Sequence, residues 1–287
     1  MPKHPSWIKV HVPTPAQARG MREMRDILAR HQLETVCQGA QCPNAVECWS
    51  ARTATFMILG ATCTRNCRFC DVPTGDPGGR VDMDEPDRLQ DAMRELGLKY
   101  VVLTSVDRDD LPDGGADMFA RSIEAIRRLG SDITVEALIP DFSGRQASWE
   151  RVLSANAAVV GHNLETVRRL TPDLRDRRAG YDQSLRTLEF FARGGSCRVK
   201  SGLMLGLGER EDEVRTALHD LRNVGVDTVT LGQYLRPSTI AIPVVRYVPP
   251  EAFDALAAYA RSLGFRSVVA GPLVRSSYHA AAAFEAS

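Results

Sequence analysis

The sequence predicts an α/β fold, in which a parallel sheet of six βα units curls into a partial barrel. Two observations predict it: short apolar, β-branched runs recur along the chain, and amphipathic stretches with helix caps lie between them. Continuous apolar runs are typical of parallel strands, because both faces of such a strand are buried. The length of 287 residues suits one large barrel domain. An open, doubly wound sheet is the alternative fold.

Six apolar runs predict the strands, at residues 55–59, 100–106, 133–139, 157–161, 198–205 and 227–235. Four amphipathic stretches predict helices, at residues 86–96, 116–129, 209–224 and 250–263. The first helix begins with Pro86 and ends before Gly97, which is the usual asymmetry of helix termini. The last two end in the same way, before Gly225 and Gly264.

The composition is that of an ordinary protein without net charge. Lys plus Arg and Asp plus Glu both count 36, so no electrostatic argument favours a nucleic acid or an anionic membrane as partner. The N-terminal residues contain no apolar run of signal-peptide length. No stretch approaches the roughly 18 apolar residues of a membrane-spanning helix. We therefore expect a cytoplasmic protein, whose thiols stay reduced.

The cysteines are concentrated near the N-terminus. Of the seven, six lie between Cys37 and Cys70. In a chain of this length and in a reducing compartment, such clustering indicates metal binding or catalysis rather than disulfides. The remaining one, Cys197, begins a strand and is expected to be a small buried hydrophobe.

The first cysteine triad lies in the loop after the first predicted strand. Residues 63–70 read CTRNCRFC, so Cys63, Cys67 and Cys70 follow a C-x3-C-x2-C spacing. In barrels, reactive groups gather at the carboxyl ends of the strands. A [4Fe–4S] cube takes one thiolate per iron, so three cysteines leave the fourth iron open to a small ligand. A zinc site and three incidental thiols are the alternatives, but structural zinc generally needs four ligands, and chance poorly explains this spacing in this loop.

The spacing, together with Phe69 before the last cysteine, resembles the radical S-adenosylmethionine superfamily. The resemblance implies that the open iron binds S-adenosylmethionine and that reduction of the cluster cleaves this cofactor to a 5′-deoxyadenosyl radical. It also implies that Phe69 and polar side chains at strand ends surround the cofactor; these are Thr104, Ser105, Asn163 and Arg236. Turn-forming hydrogen bonds for the first three of these polar residues and a surface salt bridge for Arg236 are the alternative roles.

A second triad lies upstream. Residues 37–48 read CQGAQCPNAVEC, which places Cys37, Cys42 and Cys48 in a C-x4-C-x5-C spacing. Six thiolates exceed the four corners of one cube, so the sequence predicts two clusters, each lacking one cysteine ligand.

The second triad, followed by the first and by RSSY at residues 275–278, resembles the lipoyl synthase family. Further segments of the chain agree with this family: RDDLPDGGA, IPDF, HNLETV, GLGE and QYLRPS. The resemblance runs from about Trp7 to His279, and it implies that Ser277 is the fourth ligand of the second, auxiliary cluster. A serine oxygen is a harder and weaker ligand for iron than a thiolate.

The resemblance implies a sulfurtransferase that inserts two sulfur atoms at C6 and C8 of an octanoyl group on a carrier-protein lysine. The auxiliary [4Fe–4S] cluster donates the sulfur, and two S-adenosylmethionine molecules are consumed per lipoyl group. The implied partners are an octanoylated 2-oxoacid dehydrogenase domain or glycine-cleavage H protein, reduced ferredoxin or flavodoxin, and an iron–sulfur carrier for rebuilding the cluster. No catalytic residue is assigned beyond the cluster ligands.

We expect three parts in the chain. Residues 1–50 form an extension with the auxiliary cysteines, residues 51–272 form the barrel, and residues 273–287 form a segment with the RSSY ligand. Two other functions remain as alternatives: a radical enzyme whose auxiliary cluster transfers electrons or anchors substrate, and a non-catalytic electron carrier. An open iron and six βα units argue against the carrier.

Overall fold

The computed structural model describes residues 5–9, 12–39, 42, 44–130 and 132–285. The strands are β1 (Glu34–Thr35), β2 (Thr53–Ile58), β3 (Tyr100–Ser105), β4 (Thr134–Leu138), β5 (Val159–Gly161), β6 (Arg198–Leu205), β7 (Thr228–Gln233) and β8 (Ser267–Gly271). They form one sheet in the order β1 to β8. β1 pairs antiparallel with β2, and every later neighbour pairs in parallel.

Helices lie between the parallel strands, because two parallel neighbours need a crossover connection. They are α1 (Pro15–Arg30), α2 (Val36–Gly39), α3 (Ala45–Ser50), α4 (Glu85–Leu96), α5 (Ala116–Arg127), α6 (Gln146–Ser154), α7 (Thr171–Leu174), α8 (Tyr181–Gly194), α9 (Glu211–Asn223), α10 (Pro250–Ser262) and α11 (Ala280–Glu285). In the described part of the chain, no helix has the length and apolar character needed to cross a membrane.

The six predicted strands are confirmed as β2 to β7, and the four predicted helices as α4, α5, α9 and α10. Local chemistry sets their ends: α4 has Pro86 in its first turn, and Gly97 closes it with a left-handed φ of 57°. The structure adds β8, whose five residues are all only half-buried. Its run, SVVAG, is as short and as apolar as the predicted run at residues 157–161, so the pattern was present in the sequence and the prediction omits it.

The two faces of the sheet have different surroundings. The outward residues of β3, Val101 and Leu103, belong to the main hydrophobic core, which also contains Leu89 of α4 and Ile123 of α5. The inward residues include a polar group: Lys200 Nζ lies 2.8 Å from Glu136 Oε1. Since these side chains come from β6 and β4 and meet across β5, they lie on the concave face. The sheet is therefore a barrel wall with helices outside and polar groups inside.

Candidate active site

The loop after β2 carries the first cysteine triad. Leu59 and Gly60 have left-handed φ angles of 70° and 83° and turn the chain out of the strand. Glycine adopts this conformation without steric cost. Cys63 N donates to Pro73 O at 2.8 Å, and Cys63 O accepts from Gly75 N at 2.9 Å. These two bonds close the loop at the carboxyl edge of the sheet, where the sequence predicts it.

All three sulfurs of this triad accept backbone N–H groups. Such donors favour the thiolate, which is the form of cysteine that binds iron. The loop therefore presents three sulfurs that are prepared for a negative charge. The donors are Arg65 N and Asp107 N to Cys63, both at 3.4 Å, Asp176 N to Cys67 at 3.3 Å, and the N–H groups of Asp71 and Val72 to Cys70.

Burial acts in the opposite direction on these thiols. It raises the pKa of Cys63 to about 11 and that of Cys67 to about 12. A thiol in this setting keeps its proton at neutral pH until a metal ion replaces it. The three cysteine sulfurs therefore fit a group that carries positive charge into a buried site, as the irons of a cluster do.

Arg65 joins this loop to the ends of β3 and β4. Its side chain is only 2% exposed, and it forms ion pairs with Asp107 at 3.3 Å, Asp109 at 2.8 Å and Asp141 at 2.7 Å. Burial alone would raise the pKa of Asp109, but hydrogen bonds, led by that from Arg65, outweigh it and lower this pKa to about 2. The guanidinium thus fixes the loop relative to two strand ends.

Three of the predicted cofactor contacts lie around the same edge. Thr104 and Ser105 are the last two residues of β3 and are half-buried. The Ser105 hydroxyl oxygen is buried and has no hydrogen-bond partner within the described ranges. Phe69 packs against the main hydrophobic core. Alternation along β3 places Thr104 on the concave face with Tyr100 and Val102, and Ser105 on the helix-facing side with Val101 and Leu103.

The other two predicted contacts have protein partners. Asn163 Nδ2 donates to Ser276 Oγ at 2.8 Å. Arg236 donates to the carbonyl groups of Thr239 and Ala241 and braces its own loop. Asn163 therefore connects the end of β5 to the C-terminal segment.

The sequence interpretation overlooked two charged residues beside the triad. Glu165 has a left-handed φ of 69°, and burial raises its pKa while Arg175 opposes the rise. Both residues act electrostatically on the Cys67 thiol. Glu165 lies in the HNLETV segment, and the match of that segment to the family is the sequence signal that points to it.

The second triad lies on and between α2 and α3. Cys42 N donates to Cys37 O at 3.0 Å. Burial raises the pKa of Cys42, and it raises that of Cys48 to about 12; the charge of Cys37 adds to both shifts. The three thiols therefore lie within electrostatic reach of one another, as the ligands of one cluster must.

The C-terminal segment lies against α3. Asn44 Nδ2 donates to Leu273 O at 2.7 Å. Tyr278 Oη donates to Glu47 Oε2 at 3.0 Å. Glu47 stands immediately before Cys48, so the two ends of the sequence meet beside the second triad.

The same segment acts directly on the second triad. The N–H group of His279 donates to the Cys48 sulfur, and the Arg275 guanidinium lowers the pKa of Cys42 against the larger effect of burial. Ser277 lies between these two residues and is half-buried. The RSSY segment and the cysteines thus form one neighbourhood.

The remaining cysteine lies elsewhere. Cys197 directly precedes β6, at the amino edge of the parallel sheet, whereas the first triad follows β2 at the carboxyl edge. Burial raises the pKa of Cys197 to about 11. Across the described ranges, no three His, Cys, Asp or Glu side chains converge as ligands of a single metal ion. A cube differs from such a site because each thiolate binds its own iron.

Comparison with known proteins identifies the family. Residues 57–221 match the Radical SAM superfamily. The chain is 53% identical over 283 residues to a lipoyl synthase of Pyrobaculum arsenaticum, covering 98% of this chain and 95% of that protein. It is 54% identical over 277 residues to a lipoyl synthase of Thermus thermophilus, covering 96% and 85%.

Solved structures show the same fold at low sequence identity. The crystal structure of HydG, a maturase of the [FeFe]-hydrogenase, has a TM-score of 0.60 at 16% identity and covers 90% of this chain and 67% of that one. Methylornithine synthase (PylB) has a TM-score of 0.50 at 16% identity, covering 86% and 81%. With relatives about half identical along nearly its whole length, the chain belongs to the lipoyl synthase family of the radical S-adenosylmethionine superfamily.

Proposed function

We propose that this chain inserts two sulfur atoms, at C6 and C8, into an octanoyl group that is attached to a lysine of a carrier protein. The observation that carries the proposal is the pairing of two separate cysteine triads with a C-terminal RSSY segment that lies against the second triad. Carbons 6 and 8 are unactivated, so a general base cannot remove their hydrogens, and a radical is needed.

In this proposal Cys63, Cys67 and Cys70 hold the cluster that binds S-adenosylmethionine. When bound, the two clusters supply the electron that cleaves S-adenosylmethionine to its 5′-deoxyadenosyl radical and the sulfur that enters the substrate. The backbone N–H groups directed at the sulfurs support the ligand assignment. Arg65 keeps the loop in place through its buried ion pairs.

The side chains at the barrel mouth position S-adenosylmethionine. Thr104 and Ser105 end β3, and the Thr104 side chain, which shares the concave face with Tyr100 and Val102, offers a hydrogen bond. Phe69 supports the loop from the core. Asn163 acts mainly through Ser276, and Arg236 shapes the rim by holding its own loop.

We assign Cys37, Cys42, Cys48 and Ser277 to the auxiliary cluster. The effect of Cys37 on the pKa values of Cys42 and Cys48 and the half-buried position of Ser277 support the assignment. Serine is the weakest ligand of the four, which suits a cluster that must open to release sulfur. Functionally, residues 1–50 and 273–287 then form one unit around the auxiliary site, and residues 51–272 form the radical barrel.

The partners follow from the chemistry of the reaction. The substrate is an octanoylated lipoyl-carrier domain, from a 2-oxoacid dehydrogenase or the glycine-cleavage H protein. A reduced ferredoxin or flavodoxin supplies electrons, and an iron–sulfur carrier rebuilds the auxiliary cluster. We place the reaction in the cytoplasm.

The direct test is anaerobic reconstitution with iron and sulfide, followed by incubation with octanoylated carrier, S-adenosylmethionine and reductant. Mass spectrometry of the carrier should detect two added sulfur atoms on the acylated lysine, and chromatography should detect 5′-deoxyadenosine. S-adenosylmethionine cleavage without any sulfur on the carrier would refute the sulfurtransferase and leave a different radical enzyme.

A further inference from the structure

The C-terminal helix α11 packs on the concave face of the sheet. Ala280 and Ala283 are buried. Ala280 forms a small apolar cluster with Tyr100 and Val102, which are inward residues of β3, and Phe284 packs against this cluster. The chain therefore enters the barrel after the RSSY segment and fills part of its interior.

Glycine on the inner face of β7 makes room for this segment. A Cβ atom at Gly232 would lie 2.1 Å from Val274 O, a separation that non-bonded atoms do not adopt. The backbone of residue 274 thus lies directly on the strand. Any larger residue at 232 would push the C-terminal segment away from the sheet.

Two residues hold the far end of α11. The Arg198 guanidinium lies 4.2 Å from the centroid of the Phe284 ring and also donates to Phe284 O. The Tyr100 ring meets the same phenyl ring edge-on, with centroids 6.1 Å apart. A cation at the carbonyl end of a helix is favourable, and cation–π and aromatic pairs add to it.

Ser277 lies close to this anchor along the chain. Only Tyr278 and His279 separate it from Ala280, so the connection spans at most about 10 Å of extended chain. His279 has a left-handed φ of 51°, a conformation that costs a non-glycine residue free energy and persists only when contacts on both sides maintain it. A shift of α11 is therefore passed to Ser277.

The contacts at the surface are too weak to hold Ser277 by themselves. His279 Nε2 lies 3.1 Å from Glu47 Oε1, but their side chains are 46% and 48% exposed. Exposed pairs of this kind contribute little, because water and salt compete for them. Asn163 and Asn44 hold the segment on the N-terminal side of Ser277, and the half-buried ring of Phe284 holds it on the C-terminal side.

We propose that α11 is an internal anchor that holds Ser277 beside Cys37, Cys42 and Cys48, with Phe284 and Arg198 as positioning residues. The proposal rests on the proposed function, which makes Ser277 a ligand of the auxiliary cluster. It adds that a helix inside the barrel, which begins at Ala280 just after Ser277 and His279, controls how firmly that cluster keeps its irons.

Phe284→Leu is the test variant, because it keeps apolar volume while it removes the ring contacts to Tyr100 and Arg198. Phe284→Tyr keeps the aromatic ring and is the conservative variant. Glu285→Ala is a matched control at an exposed position of the same helix. Each protein is reconstituted anaerobically, and iron release to a ferrous chelator is followed over time. Mössbauer spectra assign the lost iron to one of the two clusters, and 5′-deoxyadenosine formation reports on the radical cluster.

We expect Phe284→Leu to release auxiliary iron roughly tenfold faster than wild type, since a cation–π contact and an aromatic pair contribute on that scale. S-adenosylmethionine cleavage should be unchanged, and Phe284→Tyr and Glu285→Ala should behave like the wild type. Equal release from Phe284→Leu and wild type would overturn the anchor. Equal loss from both clusters would also overturn it, because it would indicate general destabilisation.

A double-mutant cycle separates the anchor from the ligand assignment. If α11 acts through Ser277, Phe284→Leu should add nothing to the iron release of Ser277→Ala. Additive effects would contradict the anchor while leaving the proposed function intact, whereas a wild type without an auxiliary cluster would contradict both. Gly232→Ala is a second, independent variant: it displaces Val274 and should release auxiliary iron faster in the same way.

Discussion

At the residue scale, the buried side chain of Arg65 pairs with the carboxylates around the first cysteine loop. Its guanidinium contacts carboxylates from two strand ends and has almost no access to water. A buried arginine is tolerated only when its charge and its donors are satisfied. The position of the loop between Cys63 and Cys67 is therefore coupled to the ends of β3 and β4.

We predict that Arg65→Lys destabilises the protein by about 3 kcal/mol, because lysine cannot reproduce the forked contacts and leaves buried carboxylates without partners. Chemical unfolding measures this loss, and the rate of 5′-deoxyadenosine formation should fall with it. Arg68→Lys is the matched control, since Arg68 is an exposed residue of the same loop. An equal loss in the free energy of unfolding for the two substitutions would contradict this role of Arg65.

The sequence predicts the cysteines as cluster ligands, but it does not predict the partners of Arg65. Cys63, Cys67 and Cys70 lie within eight residues, and their spacing carries the chemistry. The hydrogen bonds from Arg65 to Asp109 and Asp141 span 44 and 76 positions. No local pattern encodes contacts that depend on how βα units are placed side by side.

At the element scale, His162 connects the end of β5 to two neighbouring elements. Its Nδ1 lies 2.9 Å from Ile139 O, after β4, and its Nε2 lies 2.9 Å from Ser184 Oγ in α8. Because a carbonyl oxygen only accepts, Nδ1 carries the proton and Nε2 accepts from the serine hydroxyl. Burial, and then the charge of Arg175, lowers the pKa of His162 to about 4.

This shift predicts a pH dependence of stability. In the unfolded chain the pKa of His162 is about 6.5. Between about pH 6.5 and 4, His162 is therefore protonated in the unfolded chain and neutral in the folded protein. The folded protein therefore keeps its full stability above the pKa that His162 has in the unfolded chain. The free energy of unfolding should fall by about 3 kcal/mol as the pH falls to 4. Unfolding of cluster-free protein measures it, and His162→Gln should flatten the dependence. Parallel curves for the two proteins would contradict the assignment.

Strands could be predicted where the run of residues is continuously apolar, and helices where one face is apolar. The strands β2 to β7 satisfy the first condition, and they are the ones that the sequence reveals. The C-terminal helix α11 does not satisfy the second, because AAAAFE has no polar face to set its direction. Its position follows from room inside the barrel, at Gly232, and from Phe284, and neither feature is visible in a linear pattern.

At the scale of the whole molecule, the site joins parts of the chain that are far apart in sequence. Cys48 lies beside His279, and Ser276 is bonded to Asn163. The barrel provides the first triad, and the two termini together provide the neighbourhood of the second. The sequence could link RSSY to the second triad only through the family resemblance, since an isolated Arg-Ser-Ser-Tyr carries no metal signature.

This division of the molecule predicts that the two triads can be inactivated separately. Wild type should hold about eight irons and Cys63→Ala or Cys37→Ala about four each, because each variant loses one cube. Cys63→Ala should abolish S-adenosylmethionine cleavage, while Cys37→Ala should still form 5′-deoxyadenosine but no lipoyl product. Cys197→Ala, at the opposite edge of the sheet, is the control and should keep both the irons and the activity.

Iron analysis, chromatography and mass spectrometry of the carrier provide the three measurements. Lipoyl product from Cys37→Ala would refute the second triad as the source of sulfur, and a fully loaded wild type with only about four irons would refute the two-cluster arrangement.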